Sequence, residues 1–322
     1  MSSDSDDKEE KNYKDPALYY INYEFEVGNI DNYIVEAKIG RGRYSDVYEG
    51  LQKNTNEKVV IKILKPITKV KIKREICILY TLKKCPNIVK ILDVIKENDS
   101  EIFCIICKSI SGIELKNFYM GISPQDLNFY MYKIIECLEY SHRKKIMHRD
   151  IKLTNIAINK ETKELNIYDW GLSDFYIKDY KYTLTIGSRY YKAPELFMVY
   201  KKYDCSIDMW SVGCLFRALL FQINFLFQGN SNQDQLIVIA KQFGFNKINN
   251  FLEKYKGSCF LAQKIIKKIK KYEEKSWDEF INDKNKYLIS EDALDLLNKL
   301  LEIDPEKRIS AKDALNHPFF KS

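Results

Sequence analysis

The stretch that most restricts how this chain can fold is His148-Arg149-Asp150-Ile151-Lys152-Leu153-Thr154-Asn155, followed fourteen residues later by Asp169-Trp170-Gly171. It sets an acid, an amide and a second acid close together in sequence. These oxygen-bearing side chains converge only if a loop is followed by a short hairpin that returns the chain to its start. Lys163 to Asp169 reads as the strand that delivers the second acid. Asp and Asn are also ordinary turn residues, so the surrounding motifs decide between a turn and a site.

Upstream, Tyr33 to Ile39 reads as a strand. Gly40-Arg41-Gly42-Arg43-Tyr44-Ser45-Asp46-Val47 then reads as a turn into a second strand. Glycines there let the backbone approach phosphates closely. Lys58 to Leu64 is a third strand, and alternation puts Val60, Lys62 and Leu64 on one face. Lys62 therefore turns an ammonium into an apolar cleft, where a cation needs a phosphate or a carboxylate. Lys69 to Leu82 has helical spacing through Ile72, Ile76 and Leu79, and carries Glu75 as the candidate carboxylate. Asn87 to Val94 and Ile102 to Cys107 read as two more strands, giving a five-stranded sheet with one main helix.

Ser109-Ile110-Ser111-Gly112 connects this part to a helical one. Past Pro124, Leu127, Met131, Ile134 and Leu138 mark a long amphipathic helix ending near His142. Ser206 to Phe221 is apolar nearly all round, which predicts a buried helix whose Asp208 needs a partner. Ala293 to Leu301 is a further amphipathic helix, and Ser310 with Asp313 opens a last one. Residues 222–288, polar and lysine-rich, read as short helices and loops.

A composition of 45% hydrophobic and 30% charged residues in 322 is that of a soluble globular chain. No stretch approaches the roughly 20 apolar residues of a membrane span. The acidic start is unlike a targeting peptide. Cys104 and Cys107 alternate to opposite faces of a strand, which argues against a metal pair. The net charge is +7, although residues 1–10 are acidic. A positive body suits nucleic acid, anionic membrane or acidic protein partners, but a nucleic-acid reading explains none of the acid and amide placements. Residues 1 to about 14 read as a charged tail. Residues 15–30, with Tyr19, Tyr20, Tyr23 and Phe25, read as an arm packed on the body.

In order and spacing these motifs resemble the eukaryotic protein kinases over residues 30–320, and Arg189 and Lys192 look like the CMGC group. Within it the chain resembles the casein kinase II catalytic alpha subunits. That match is carried by Gly40-Arg-Gly-Arg-Tyr-Ser45, Ile72-Lys-Arg-Glu75, Ile146-Met-His-Arg-Asp150, Asp169-Trp-Gly-Leu172, Ser188-Arg-Tyr190 and Asp208-Met-Trp-Ser211. The resemblance implies an α+β, bilobal kinase fold: a tail and arm over 1–30, a small β-rich lobe over 31–109 and a large α-rich lobe over 110–322. It implies a nucleotide pocket built from Ile39 to Val47, Val60, Lys62, Cys107, Ile110, Ala157 and Tyr168. Lys62 would hold phosphates and pair with Glu75, Asp150 would be the catalytic base, and Lys152 would offer a cation to the γ-phosphate. Asn155 and Asp169 would bind Mg2+. Glu195 would pair with Arg308, and Asp208 would brace the catalytic loop.

By the same resemblance this is a constitutively active Ser/Thr kinase using ATP, with GTP a candidate second donor. It would prefer acidic substrates, read through Lys69, Lys71, Lys73, Arg74, Arg189 and Lys192. It would assemble with a regulatory beta subunit into a heterotetramer and reside in cytoplasm and nucleus. Thr68, Val70 and Thr185 stand at positions usually basic in that family. Each exposed ion pair contributes about 0–1 kcal/mol, so a weaker acidic preference is expected. Cys107 and Tyr168 also depart from the family's purine pocket, one smaller and one larger than usual. The competing readings are another CMGC kinase, proline-directed or dual-specificity, and a kinase-fold scaffold lacking turnover.

Overall fold

The computed structural model describes residues 14–42, 44–97, 102–110, 113–117, 120–223 and 227–321. The expectations for the 1–13 tail, for Arg43 and for Ser111-Gly112 lie outside the described residues.

The β-rich lobe is one antiparallel sheet. Its strands are β1 (Tyr33–Arg41), β2 (Ser45–Gln52), β3 (Glu57–Leu64), β4 (Ile91–Lys96) and β5 (Phe103–Lys108), in the order β1-β2-β3-β5-β4. Helix α1 (Lys69–Thr81) buries Ile72, Ile76 and Leu79 beneath the sheet, as the periodicity predicts. The opposite sheet face gathers a separate small cluster of Val59, Ile61, Ile95, Cys104 and Ile106. Cys107 belongs to the main core instead, so Cys104 and Cys107 do point apart.

One strand is displaced from its expected position. The sequence predicts Asn87 to Val94, but β4 starts at Ile91. Asn87 sits in a turn at φ 57°, and its amide donates to the Lys133 carbonyl at 3.1 Å and to Glu136 at 2.8 Å. Contacts with the other lobe outweigh the local apolar run. Ile88 instead bridges to Ile167.

The α-rich lobe begins with β6 (Ile113–Glu114) and α2 (Pro124–Arg143). Ser123 caps α2 by accepting from the Asp126 N–H at 3.0 Å, the arrangement expected before Pro at the first turn. Short strands follow: β7 (Ile146–Met147), β8 (Ile156–Asn159), β9 (Glu164–Ile167) and β10 (Asp174–Phe175). They form two small sheets, β6-β8-β9 and β10-β7. Then come α3 (Pro194–Phe197), the buried α4 (Ser206–Phe221), α5 (Asn232–Lys254), α6 (Gln263–Ile269), α7 (Glu291–Leu300) and α8 (Ala311–Leu315). The polar 222–288 region thus holds a longer helical segment than its sequence suggests. α5 is interrupted at Gly244 (φ 76°), where a Cβ would lie 2.6 Å from the Glu274 nitrogen.

The aromatic arm lies against both lobes. The Tyr19 ring stacks on Phe175 with centroids 4.3 Å apart, and Tyr20 is buried beside it. Lys73 donates to the Ile21 carbonyl at 3.2 Å. Farther on, the Gly28 N–H reaches the Val94 carbonyl at 2.8 Å. The arm therefore joins α1, β10 and the edge strand β4.

Candidate active site

Antiparallel register sets Lys62 opposite Val47 on one side and Ile105 on the other. Its ammonium donates to Glu75 Oε1 at 2.6 Å and to Asp169 Oδ1 at 2.9 Å. Burial works to lower the Lys62 pKa, but the two carboxylates overcome it and hold the group above the ordinary lysine range. The Lys62 charge in turn pulls Asp169 down to about 2. Asp169 has a left-handed backbone (φ 60°), which turns its carboxylate back toward Lys62. The next residue anchors that turn. Trp170 is buried, donates Nε1 to the Ile167 carbonyl at 3.1 Å, and meets the His148 ring edge-on at 4.5 Å.

The loop 148–155 is held from below by Asp208. Its buried carboxylate accepts the N–H groups of His148 at 2.8 Å and Arg149 at 2.7 Å, and meets His142 Nε2 at 2.9 Å. Burial would raise the Asp208 pKa, yet the hydrogen bond from His142 and the neighbouring charges leave it lowered. This is the partner that a carboxylate in an apolar helix requires.

Asp150 is the meeting point. Its Oδ1 accepts both the N–H (2.9 Å) and the hydroxyl (2.8 Å) of Ser188. Its Oδ2 accepts Lys152 Nζ at 2.7 Å and Asn155 Nδ2 at 3.3 Å. Asn155 also ties back to the Asp150 carbonyl at 2.9 Å. Gly187, at φ 67°, lets the segment carrying Ser188 come this close, because a Cβ there would lie 2.8 Å from the Arg149 carbonyl. In the sequence Ser188 is only part of the family-like Ser188-Arg-Tyr190 run, and its contact with Asp150 leaves no sequence signal.

Asp174 is a second group the sequence reading missed. It accepts Arg149 Nη2 at 3.0 Å and Arg74 Nη1 at 3.4 Å. Arg74 further donates to the Gly171 carbonyl at 2.9 Å. Arg74, expected to read acidic substrates, is therefore turned inward onto the segment after Asp169. Of its companions, Lys69, Lys71 and Arg189 face solvent. Lys73 holds the arm. Lys192 is half-buried, donates to the Leu184 carbonyl at 3.3 Å and sits over the Phe197 ring. Burial, then the Arg189 charge, lowers its pKa.

The expected nucleotide residues of the small lobe lie on β1, β2, β3 and β5 and the turns beside them, with Ala157 on β8 and Tyr168 just past β9. Gly40 pairs with Val47 across the β1–β2 turn, with Ile39 half exposed beside them. The Gly42 N–H bonds the Ser45 carbonyl at 2.8 Å. Lys65 donates to the Gly42 carbonyl at 2.6 Å, and Lys38 pairs with Asp46 at 2.9 Å. The Tyr44 ring lies under Lys71. Val60 is opposite Cys107 in the sheet, and Ala157 is opposite Asn166 in the small sheet below. Burial pushes the Cys107 thiol up to about 12. Tyr168 is likewise raised to about 12 by burial, with Cys107 and the Ile110 backbone beside its ring.

The cleft thus sets a buried lysine–carboxylate pair against an acid, an amide and a second cation. That defines an enzyme of phosphoryl transfer between nucleotide and acceptor. Residues 33–320 match the family model of the protein kinase domain, and the chain belongs to that family. Use of ATP with a divalent metal, and action on protein substrates, go with that membership. Buried Glu195 and Arg308, bonded at 2.8 and 3.0 Å, brace the large lobe behind the site.

Proposed function

We propose that this is a Ser/Thr protein kinase of the casein kinase II alpha type, transferring the γ-phosphoryl of ATP to hydroxyls in acidic sequence contexts. The observation that carries the reading is the Asp150 carboxylate, joined to Lys152 and Asn155 within one loop, while the Lys152 charge also acts on Asp169, which Lys62 holds. Asp150 accepts the proton of the substrate hydroxyl. Lys152 stands at 2.7 Å to meet charge developing on the transferred group. Lys62 orients the nucleotide phosphates, kept in place by Glu75. Asn155 and Asp169 would hold Mg2+, and Asp169, ionised down to about pH 2, has the chemistry for it. When bound, the metal neutralises charge on the phosphate oxygens.

The exposed cations Lys69, Lys71 and Arg189 support an acidic preference, weakened because Lys73, Arg74 and Lys192 are turned onto the chain itself. Constitutive activity is supported by the arm, which stacks Tyr19 on Phe175 directly after Asp174, and by the two arginines on Asp174. A regulatory beta subunit is supported by an apolar cavity of about 260 Å³ on the outer sheet face, lined by Ile30, Val35, Ile61, Ile63, Ile95 and Cys104. Cytoplasmic and nuclear residence rests on the family resemblance alone. The deciding experiment is a radiometric assay on acidic and neutral Ser peptides, with ATP and GTP compared. Transfer to the acidic peptide supports the reading, and equal rates on both remove the acidic preference.

A further inference from the structure

Helix α6 and the turns flanking it carry a charge pattern that the catalytic site does not use. Between Lys254 and Tyr272 the sequence holds no Asp or Glu, while Lys256, Lys264, Lys267, Lys268, Lys270 and Lys271 are all exposed. None of these six forms an ion pair among the described residues. Lys254 differs, being paired with Asp304 at 2.7 Å and Glu306 at 2.9 Å. Ile265 and Ile269 are the buried residues of α6. They fix the rotation of the helix, so Lys264, Lys267 and Lys268 fall at i, i+3 and i+4 along one flank, and Lys271 follows in the turn after it. Like charges at that spacing oppose the helix they sit on. An anionic partner relieves that repulsion.

The flank is tied to the substrate side of the large lobe. α6 packs on α5, and α5 touches both α3 and the Arg189–Tyr191 turn. The Phe260 N–H, in the turn before α6, bonds the Met198 carbonyl just past α3 at 2.7 Å. Through α5 and α3, the α6 flank is thus fixed relative to the turn that carries Arg189. The cations of the flank are lysines with no acidic side chain among them, which suits a polyanion. Ile265 and Ile269 are buried and Ile266 half-buried, so Phe260, in the segment before α6, is the exposed apolar side chain beside the flank. Charge complementarity with the acidic substrates proposed above favours an acidic polypeptide as the occupant.

We propose that the lysine flank of α6 is a docking surface for acidic segments of protein substrates, remote from the phosphoacceptor and additional to Lys69, Lys71 and Arg189. The proposal rests on the acidic-substrate reading above. Binding there is electrostatic and falls with ionic strength.

The test uses the full chain and a combined Lys264→Ala, Lys267→Ala, Lys268→Ala, Lys271→Ala variant, with the four Lys→Arg changes as the charge-preserving control. Two substrates are compared: a short acidic Ser peptide, and the same peptide joined by a neutral linker to an oligoglutamate run. The alanine variant should raise KM for the extended substrate roughly tenfold, because four exposed ion pairs are lost. KM for the short peptide and kcat for both should stay unchanged, and the arginine variant should behave as wild type. Fluorescein-labelled oligoglutamate should bind the wild type and weaken with added salt. An unchanged KM ratio between the two substrates overturns the docking surface while leaving the acidic-substrate reading intact. Loss of the short peptide's preference over its neutral counterpart in the wild type overturns that reading itself. Tighter binding of single-stranded RNA or phosphatidylserine vesicles than of oligoglutamate, lost in the alanine variant, assigns the flank to another partner and overturns the proposal.

Discussion

Ser188 presents its hydroxyl and its backbone N–H to the same oxygen of Asp150, at 2.8 and 2.9 Å, while Lys152 reaches both residues. The segment after Asp169 is thereby locked to the base of the catalytic loop, and Asp150 has one orientation available. Ser188→Ala keeps the N–H bond but removes the hydroxyl. A hydrogen bond to a charged group contributes about 1.5–3 kcal/mol, so kcat should fall by roughly one to two orders of magnitude. KM for ATP should stay close to wild type, and Ser188→Thr should restore most of the rate. Steady-state kinetics with a fixed peptide separates the two parameters.

The buried Glu195–Arg308 pair makes a different prediction. Both side chains are fully buried and bonded twice. Removing one partner leaves an uncompensated charge, which costs about 3–5 kcal/mol. Glu195→Ala should therefore lower Tm sharply. Replacing both residues with apolar ones of similar volume should recover much of the loss. Denaturant unfolding of the three proteins measures it.

Asp169 gives a pH signature. Lys62 lowers its pKa from the ordinary 3.8 to about 2 in the folded chain. Its stabilising contribution is present above about 4 and disappears as pH falls toward about 2. Asp169→Asn should flatten the Tm-against-pH curve in that window relative to wild type. An identical slope in the two proteins would show that Lys62 does not act on Asp169 in solution.

The arm supplies a fourth test. Deleting residues 1–30 removes the Tyr19–Phe175 stack, the buried Tyr20 and the Lys73–Ile21 bond. Activity and Tm should both fall. An unchanged rate would separate the arm from constitutive activity.

These contacts mark where the sequence was legible. Lys62 and Glu75 could be paired from the period of a strand and a helix, because each period fixes which face a residue shows. An unpaired carboxylate in an apolar helix is too costly, so Asp208 shows its need of a buried partner. That the partner is the catalytic loop is implied only by the family resemblance. Ser188 with Asp150 and Arg74 with Asp174 were not readable. They join positions 38 and 100 residues apart, and serine and arginine carry no periodic signal. Arg74 sits in a run of lysines, so its inward turn is set by the facing segment and not by its neighbours. Asn87 departs from the strand its neighbours predict because its partners lie on α2, and the polar composition of α5, interrupted at Gly244, carries little helical signal.

The central claim is that this chain transfers phosphate with Asp150 as the base. The most direct measurement is single-turnover transfer from radiolabelled ATP to an acidic Ser peptide, wild type against Asp150→Asn. A positioned base contributes about 10²–10⁴-fold, so the variant should lose that much while binding nucleotide normally. A variant that keeps the wild-type rate, or a wild type with no turnover, would contradict the account.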